Sequence, residues 1–175
     1  MDVSEFLTKC RDCYPSLPSE ELVSTVRCRM SGDKDINAAF RNDVLEALNR
    51  TLRDEDRRLI LYLLDQEVRY HKSLPGGVYE SIKLCAYLLF RLGYVEDSLS
   101  IWHAKTTNFD THCGVDVQLL VAAGVEETLA WLKLNDAPEA LSAVGWIEAC
   151  RKTGDFNNPD GYREFAKRYF ADERG

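Results

Sequence analysis

The stretch of sequence that decides the fold is an apolar run over residues 84–90, Leu84-Cys85-Ala86-Tyr87-Leu88-Leu89-Phe90. The run lies in a predicted helix over about 78–92, and a helix with almost no polar face must be covered on several sides. It is too short to cross a bilayer, because a transmembrane helix needs about 20 apolar residues. We therefore place this helix at the centre of a soluble helical domain and expect Leu88, Leu89 and Phe90 in the core.

Helical periodicity continues on both sides of the central run. No alternating run of strand length occurs, and the five prolines lie where turns are expected. Gly93 is expected to end the central helix in a left-handed conformation. The predicted helices cover about 3–13, 19–31, 36–52, 54–72, 78–92, 95–106, 116–123, 125–134, 137–152 and 160–171. The pattern predicts an all-α fold of roughly ten helices.

A faint internal repeat accompanies these helices. Gly93, Gly124 and Gly154 lie 31 and 30 residues apart, and a period of this size is typical of helix–turn–helix arrays. Segments 77–82, 95–99 and 125–129 also share a valine, an acidic residue and a hydroxyl residue before an aliphatic one. An alternative explanation of this match is that acidic and hydroxyl side chains collect at helix starts.

One segment of the repeat resembles the turn and second helix of a tetratricopeptide repeat. The similarity rests on Leu92-Gly93, Ser98-Leu99 and Trp102, with Ser98 where that repeat usually has alanine, and it covers about one repeat. We interpret the resemblance as an indication of stacked helical hairpins rather than of membership of that family.

These patterns together predict the domain organisation. We expect a single all-α domain over 1–175, built of packed antiparallel αα-hairpins. The hairpins would form a superhelix like that of TPR or HEAT repeats, or an orthogonal bundle. Residues 1–75 would form N-terminal helices, and residues 76–175 would form the repeat-like hairpins.

The charge of the chain is acidic and unevenly distributed. The net charge is −7, of which residues 1–92 contribute −1 (14 basic and 15 acidic side chains) and residues 93–175 contribute −6 (8 and 14). An acidic surface repels phosphate backbones, so we do not expect nucleic-acid binding. It favours a basic protein partner through complementary fields, although acidity also confers solubility alone.

The six cysteines, at positions 10, 13, 28, 85, 113 and 150, are expected to be reduced thiols. The N-terminal residues 1–5 are acidic and lack the apolar region of a signal peptide. Disulfide bonds are rare in reducing compartments, so we predict a cytoplasmic protein that does not associate with membranes. Cys10 and Cys13 form a CxxC pair, which lacks the second ligand pair of a zinc finger and the βαβ context of a redox motif.

Residues 104–118 form the one segment that interrupts the helical pattern of the sequence, and this segment is dense in polar side chains. A structural interpretation is that Asn108, Asp110 and Thr111 cap and close a long loop, with Asp110 the leading cap. Gly114 would then adopt a positive φ.

Two chemical interpretations of the same segment stay open. A thiolate nucleophile would be Cys113, with His103 as its base and Asp110 or Asp116 orienting that histidine. A zinc site would draw its ligands from His103, His112, Cys113, Asp110 and Asp116, which are legitimate ligand types but lack the spacing of a known zinc motif.

The last interpretation of the segment is a surface that binds a protein partner. Aromatic anchors surrounded by polar side chains make effective binding sites. The predicted binding residues are Asn108, Phe109, Asp110, His112, Asp116 and Gln118.

No phosphate-binding loop, nucleophile elbow or dinucleotide fingerprint is present in the sequence. The leading hypothesis is therefore a non-enzymatic protein-interaction domain without cofactor or metal, such as an acidic inhibitor or immunity-type protein that neutralises a basic partner. The alternative is a small cysteine- or metal-dependent enzyme with its site around 103–118, using Cys113, His103 and Asp110.

Overall fold

The structure, a computed structural model, describes residues 1–16, 18–73 and 79–172. Within these ranges ten α-helices are joined by two short 3-10 helices and one two-stranded hairpin. The α-helices are α1 (Val3–Asp12), α2 (Glu20–Ser24), α3 (Ala38–Thr51), α4 (Arg57–Ser73), α5 (Glu80–Leu92), α6 (Asp97–Lys105), α7 (Phe109–Gly114), α8 (Val125–Lys133), α9 (Pro138–Thr153) and α10 (Pro159–Asp172). The strands are β1 (Met30–Ser31) and β2 (Lys34–Asp35), and the 3-10 helices are Asp54–Asp56 and Val117–Val121. The all-α prediction is confirmed, whereas the repeat arrangement of hairpins stays a prediction.

The central position predicted for the apolar run is confirmed by helix α5. This helix packs against α3, α4, α6, α7 and the second 3-10 helix, and its residues 82–89 are all buried. Leu88 and Leu89 have no exposed surface. Phe90 is only partly buried, because the helix emerges at its last turn. Gly93 ends the helix with φ +79°, as expected for a left-handed cap.

The segment that follows α2 differs from the prediction of a helix over 19–31. Helix α2 ends at Ser24, and β1 then pairs antiparallel with β2 around Gly32, whose φ is +64°. The reason is local, because the Asp35 carboxylate accepts hydrogen bonds from the backbone N–H groups of Arg29 and Asn37 at 2.9 and 3.0 Å. Such side-chain-to-backbone bonds offer the chain an alternative to continuing a helix.

A buried ion cluster attaches this hairpin to the helices. Arg41 of α3 has no exposed surface, and its Nη1 lies 2.6 Å from Asp35 Oδ2 of β2. The Arg41 Nε lies 2.7 Å from Glu67 Oε1 of α4. One guanidinium therefore holds two buried carboxylates from separate elements.

Loss of the Arg41 charge should destabilise the fold strongly. Arg41→Met leaves two buried carboxylates without their cation, and breaking a buried pair in this way costs about 3–5 kcal/mol. Urea unfolding would measure the change in the free energy of unfolding. The control is Arg58→Met, at an exposed position of α4, which should change stability by less than about 0.5 kcal/mol. Equal effects of the two substitutions would show that the buried ion cluster does not contribute to the free energy of unfolding as predicted.

Helix α5 yields a second stability prediction. Leu88→Ala should lower the free energy of unfolding by about 2–5 kcal/mol, because it removes a buried side chain and leaves a cavity. Leu141→Ala, at a position that is 72% exposed, serves as the matched control and should have little effect. The melting temperatures of both variants and of the parent are compared. An unchanged melting temperature for Leu88→Ala would show that α5 is not the central element.

Within the described residues, no helix has both the length and the apolar content that crossing a membrane requires.

The six cysteines are all free thiols.

Candidate functional site

The prediction of a long loop over 104–118 is wrong, because most of this segment is helical. Helix α7 begins after Asn108, whose side-chain oxygen accepts a hydrogen bond from the Thr111 N–H at 2.9 Å. In return, the Thr111 hydroxyl accepts one from the Asn108 N–H at 3.1 Å. This reciprocal capping box confirms the capping roles of Asn108 and Thr111. Asp110, which was expected to be the leading cap, is exposed and caps no helix.

Gly114 also differs from its prediction. Its φ is not positive, and it is instead the last residue of α7. A Cβ at this position would collide with the ring of Tyr79. The glycine is required there by the close approach of the Tyr79 ring to the backbone rather than by a left-handed conformation.

The C-terminal end of α7 is closed by a buried lysine. The Lys105 amine donates hydrogen bonds to the carbonyls of His112 and, at 2.7 Å, of Val115. Burial lowers the pKa of Lys105. The His112 ring packs edge-on against Trp146 with 4.7 Å between ring centroids, and burial lowers the pKa of His112 as well. His112 is thus part of an aromatic cluster.

The catalytic trio considered for a cysteine enzyme is not assembled. Cys113 and Asp110 are exposed on α7, whereas His103 lies on α6 in a cleft with Asp65 of α4. Its Nε2 is 3.4 Å from the Lys72 amine. No hydrogen bond or ion pair of the described residues joins any two of the trio. Nor do three metal-ligating side chains of the described residues gather anywhere as a metal site would require.

The remaining predicted binding residues point in two directions. Phe109 is 80% exposed beside Asp110, whereas Asp116 accepts a hydrogen bond from the Tyr162 hydroxyl at 3.0 Å and lies 3.4 Å from the Lys83 amine. The Gln118 amide donates to the Asp155 carbonyl at 2.9 Å. Asp116 and Gln118 therefore tie the segment to the C-terminal part of the fold. Binding by these residues stays a prediction.

The sequence did not indicate a charged cleft of about 640 Å³ that lies between α3, α5 and α10. We call it the basic cleft, because four cationic side chains line it beside two acidic ones. The cations are Arg50, Arg91, Arg163 and Lys167, and the acids are Glu46 and Glu164. The net charge of this lining is 4 − 2 = +2, in a chain whose net charge is −7.

The floor of the basic cleft is aromatic and held in place. Tyr87 of α5 stacks on Phe170 of α10 with 4.3 Å between centroids. Arg91 donates to the Asn49 carbonyl at 2.7 Å, and the Asn49 amide donates to the Phe170 carbonyl at 3.1 Å. These bonds connect the three helices that form the cleft, so its walls are preorganised.

The cations of the rim are available to a ligand. Arg50 and Lys167 are exposed and form no ion pair with any described residue. The Arg163 guanidinium carbon lies 5.6 Å from the centre of the Phe90 ring and has no acidic partner among the described side chains. Planar guanidinium groups bind carboxylates with two parallel hydrogen bonds. The cleft is therefore suited to a small anion.

The sequence shows single members of this set of cations but not the cleft. Arg163 and Lys167 are four residues apart on a predicted helix, and Arg91 follows the central apolar run directly. These positions belong to helices that are distant in the chain, so only the fold brings them together.

Comparison with known proteins identifies one distant similarity. The amino-acid acetyltransferase of Pasteurella multocida (strain Pm70) is 26% identical to this chain over 139 residues. The match covers 76% of this chain, and the chain spans only 30% of the length of that protein. No family model matches the chain, and no solved structure matches it.

The similarity to an acetyltransferase contradicts the hypothesis of a non-enzymatic interaction domain of the inhibitor or immunity type. That hypothesis rested on the absence of short catalytic motifs and on net acidity. An enzyme that works by binding and orienting two substrates needs no such motif, because its groups are spread over the fold. The net charge also averages over the surface and conceals the basic cleft.

The capping box at α7 yields a prediction about stability. Asn108→Ala should lower the free energy of unfolding by about 0.5–2 kcal/mol, because the Thr111 N–H loses its partner. Asp110→Ala, two residues away and exposed, should have little effect. Chemical denaturation of both variants provides the measurement, and a larger loss for Asp110→Ala would reverse the assignment of the cap.

Proposed function

We propose that this chain functions in an enzyme that transfers acyl groups to amino acids, and that the basic cleft binds the amino acid through its carboxylate. The observation that carries the proposal is the set of four cations around an aromatic-floored cleft in an acidic chain. The similarity to an amino-acid acetyltransferase supports the choice of reaction.

The electrostatics of the cleft support an anionic ligand. Unpaired cations in a concave surface concentrate field lines and raise the local concentration of anions. Arg50, Arg163 and Lys167 form no ion pair with any acidic side chain of the described residues, and the lining of the cleft carries a net positive charge that attracts a carboxylate. The stacked rings of Tyr87 and Phe170 are almost fully buried and fix the floor beneath the cations.

The acids of the cleft complement the other end of an amino acid. Its amino group is protonated in water and must lose a proton before the nitrogen attacks an acyl carbon. Glu46 and Glu164 line the same cavity as the cations. Each is of the right chemical type to hold the ammonium group and to accept its proton.

The thiol chemistry supports a proposal about the compartment. Six free thiols, of which Cys85 is fully buried, support a reducing environment, and we propose the cytoplasm.

Binding of an amino acid to the cleft can be tested directly. Isothermal titration of the purified chain with each standard amino acid should identify at least one ligand. Arg163→Ala should weaken its binding about three- to fivefold, because an exposed ion pair contributes at most about 1 kcal/mol. Formation of an acylated amino acid from an acetyl thioester is the accompanying activity assay.

Arg168→Ala is the matched control, because Arg168 lies on the same helix, carries the same charge and does not line the cleft. It should leave affinity within about twofold of the parent. The proposal is wrong if no amino acid binds, or if the two substitutions weaken binding equally.

A further inference from the structure

A smaller cavity, which we call the apolar chamber, adjoins the basic cleft. It has a volume of about 260 Å³ and lies between the end of α5, the second 3-10 helix, α8 and α10. Its walls are mostly apolar and include Phe90, Val121, Val125, Phe156 and Tyr162. Phe90 and Arg163 line both cavities, so the two share a border.

The polar groups at the edge of the apolar chamber are already engaged. The Tyr162 hydroxyl donates to Asp116 at 3.0 Å, and burial together with that carboxylate raises the pKa of Tyr162, so the phenol stays neutral. The Gln118 amide nitrogen donates to the Asp155 carbonyl. A ligand that enters the chamber therefore meets hydrocarbon and aromatic surface, which favours an apolar group.

We infer that the apolar chamber binds the acyl group of an N-acyl amino acid whose carboxylate lies in the basic cleft, and that this acyl group is longer than acetyl. The inference rests on the proposed function and adds the class of acyl group to it. Arg163 stands at the border, with its guanidinium over the Phe90 ring. Arg163 therefore lies at the junction between the anionic part and the apolar part of such a molecule.

The volume of the chamber limits the length of the acyl group that it can hold. A water molecule occupies about 30 Å³ of the liquid, and a methylene group is of similar size. A chamber of about 260 Å³ therefore accommodates a chain of about six to eight carbon atoms. An acetyl group would leave most of the chamber unfilled and would forgo the contacts of its walls.

The test compares two probes that share one head group. N-acetylglycine and N-octanoylglycine are titrated separately into the full chain. N-octanoylglycine should bind at least about tenfold more tightly, because each buried methylene contributes about 0.8 kcal/mol, or roughly fourfold in affinity. Arg163→Ala should weaken both probes, since both carry the carboxylate.

Two substitutions change the chamber in opposite directions. Val125→Phe fills it and should remove the preference for N-octanoylglycine over N-acetylglycine. Val95→Phe is the matched control, because Val95 is also a partly buried valine, lies two residues before α6 and is outside the chamber. Phe156→Ala enlarges the chamber and should move the preferred probe to N-decanoylglycine. This second variant keeps the test decisive if Val125→Phe fails to fold, as judged by its circular dichroism spectrum.

Failure of the inference is distinguishable from failure of the proposed function. Equal affinities for the two probes, or a loss in Val125→Phe that is the same for both, would overturn the apolar chamber as an acyl site. The proposed function would still stand if N-acetylglycine bound in an Arg163-dependent manner. Absence of binding by both probes and by all amino acids would overturn both.

Discussion

The structure depends on the complete burial of the middle of α5. Residues 82–89 are all buried, so the helix is stable only when other elements cover it on several sides. Helices α3, α4, α6 and α7 and the second 3-10 helix provide that cover. The constraint ends where Gly93 terminates the helix, and the last turn emerges with Phe90 and Arg91. Both cavities lie at this turn, so the element that organises the core also forms the wall of the candidate site.

Arginine has two opposite uses in this fold. Arg41 is fully buried, and the carboxylates of Asp35 and Glu67 neutralise it at 2.6 and 2.7 Å. Removing a charge from water is costly, so such a group stabilises only the arrangement that pairs it and thereby selects one position for the β1–β2 hairpin. Arg50 and Arg163 are exposed and lack acidic partners among the described residues. They add little to stability and keep their hydrogen-bonding capacity for a ligand.

The sequence predicted what is decided by hydrophobic periodicity and by a glycine that ends a helix. The position of α5 follows from its apolar run, and the end of α5 follows from Gly93. The hairpin after α2 and helix α7 were missed, because single side chains, Asp35 and Asn108, bond to nearby backbone groups and decide the local path. The basic cleft could not be predicted, since its cations come from α3, α5 and α10 and share no local pattern.

Because the basic cleft is exposed, the affinity for a ligand depends on the adjoining apolar chamber as well. Exposed ion pairs contribute only about 0–1 kcal/mol each, because water and salt screen them. Four cations at the rim therefore attract and orient a carboxylate but hold a small zwitterion weakly. Apolar burial contributes about 25 cal/mol per Å² and does not depend on salt concentration in the same way. A ligand that also fills the apolar chamber gains this second contribution, with Arg163 at the border of the two environments. In this proposal, the charged cleft determines the orientation of the ligand. The chamber contributes most of its affinity and limits the length of its acyl chain.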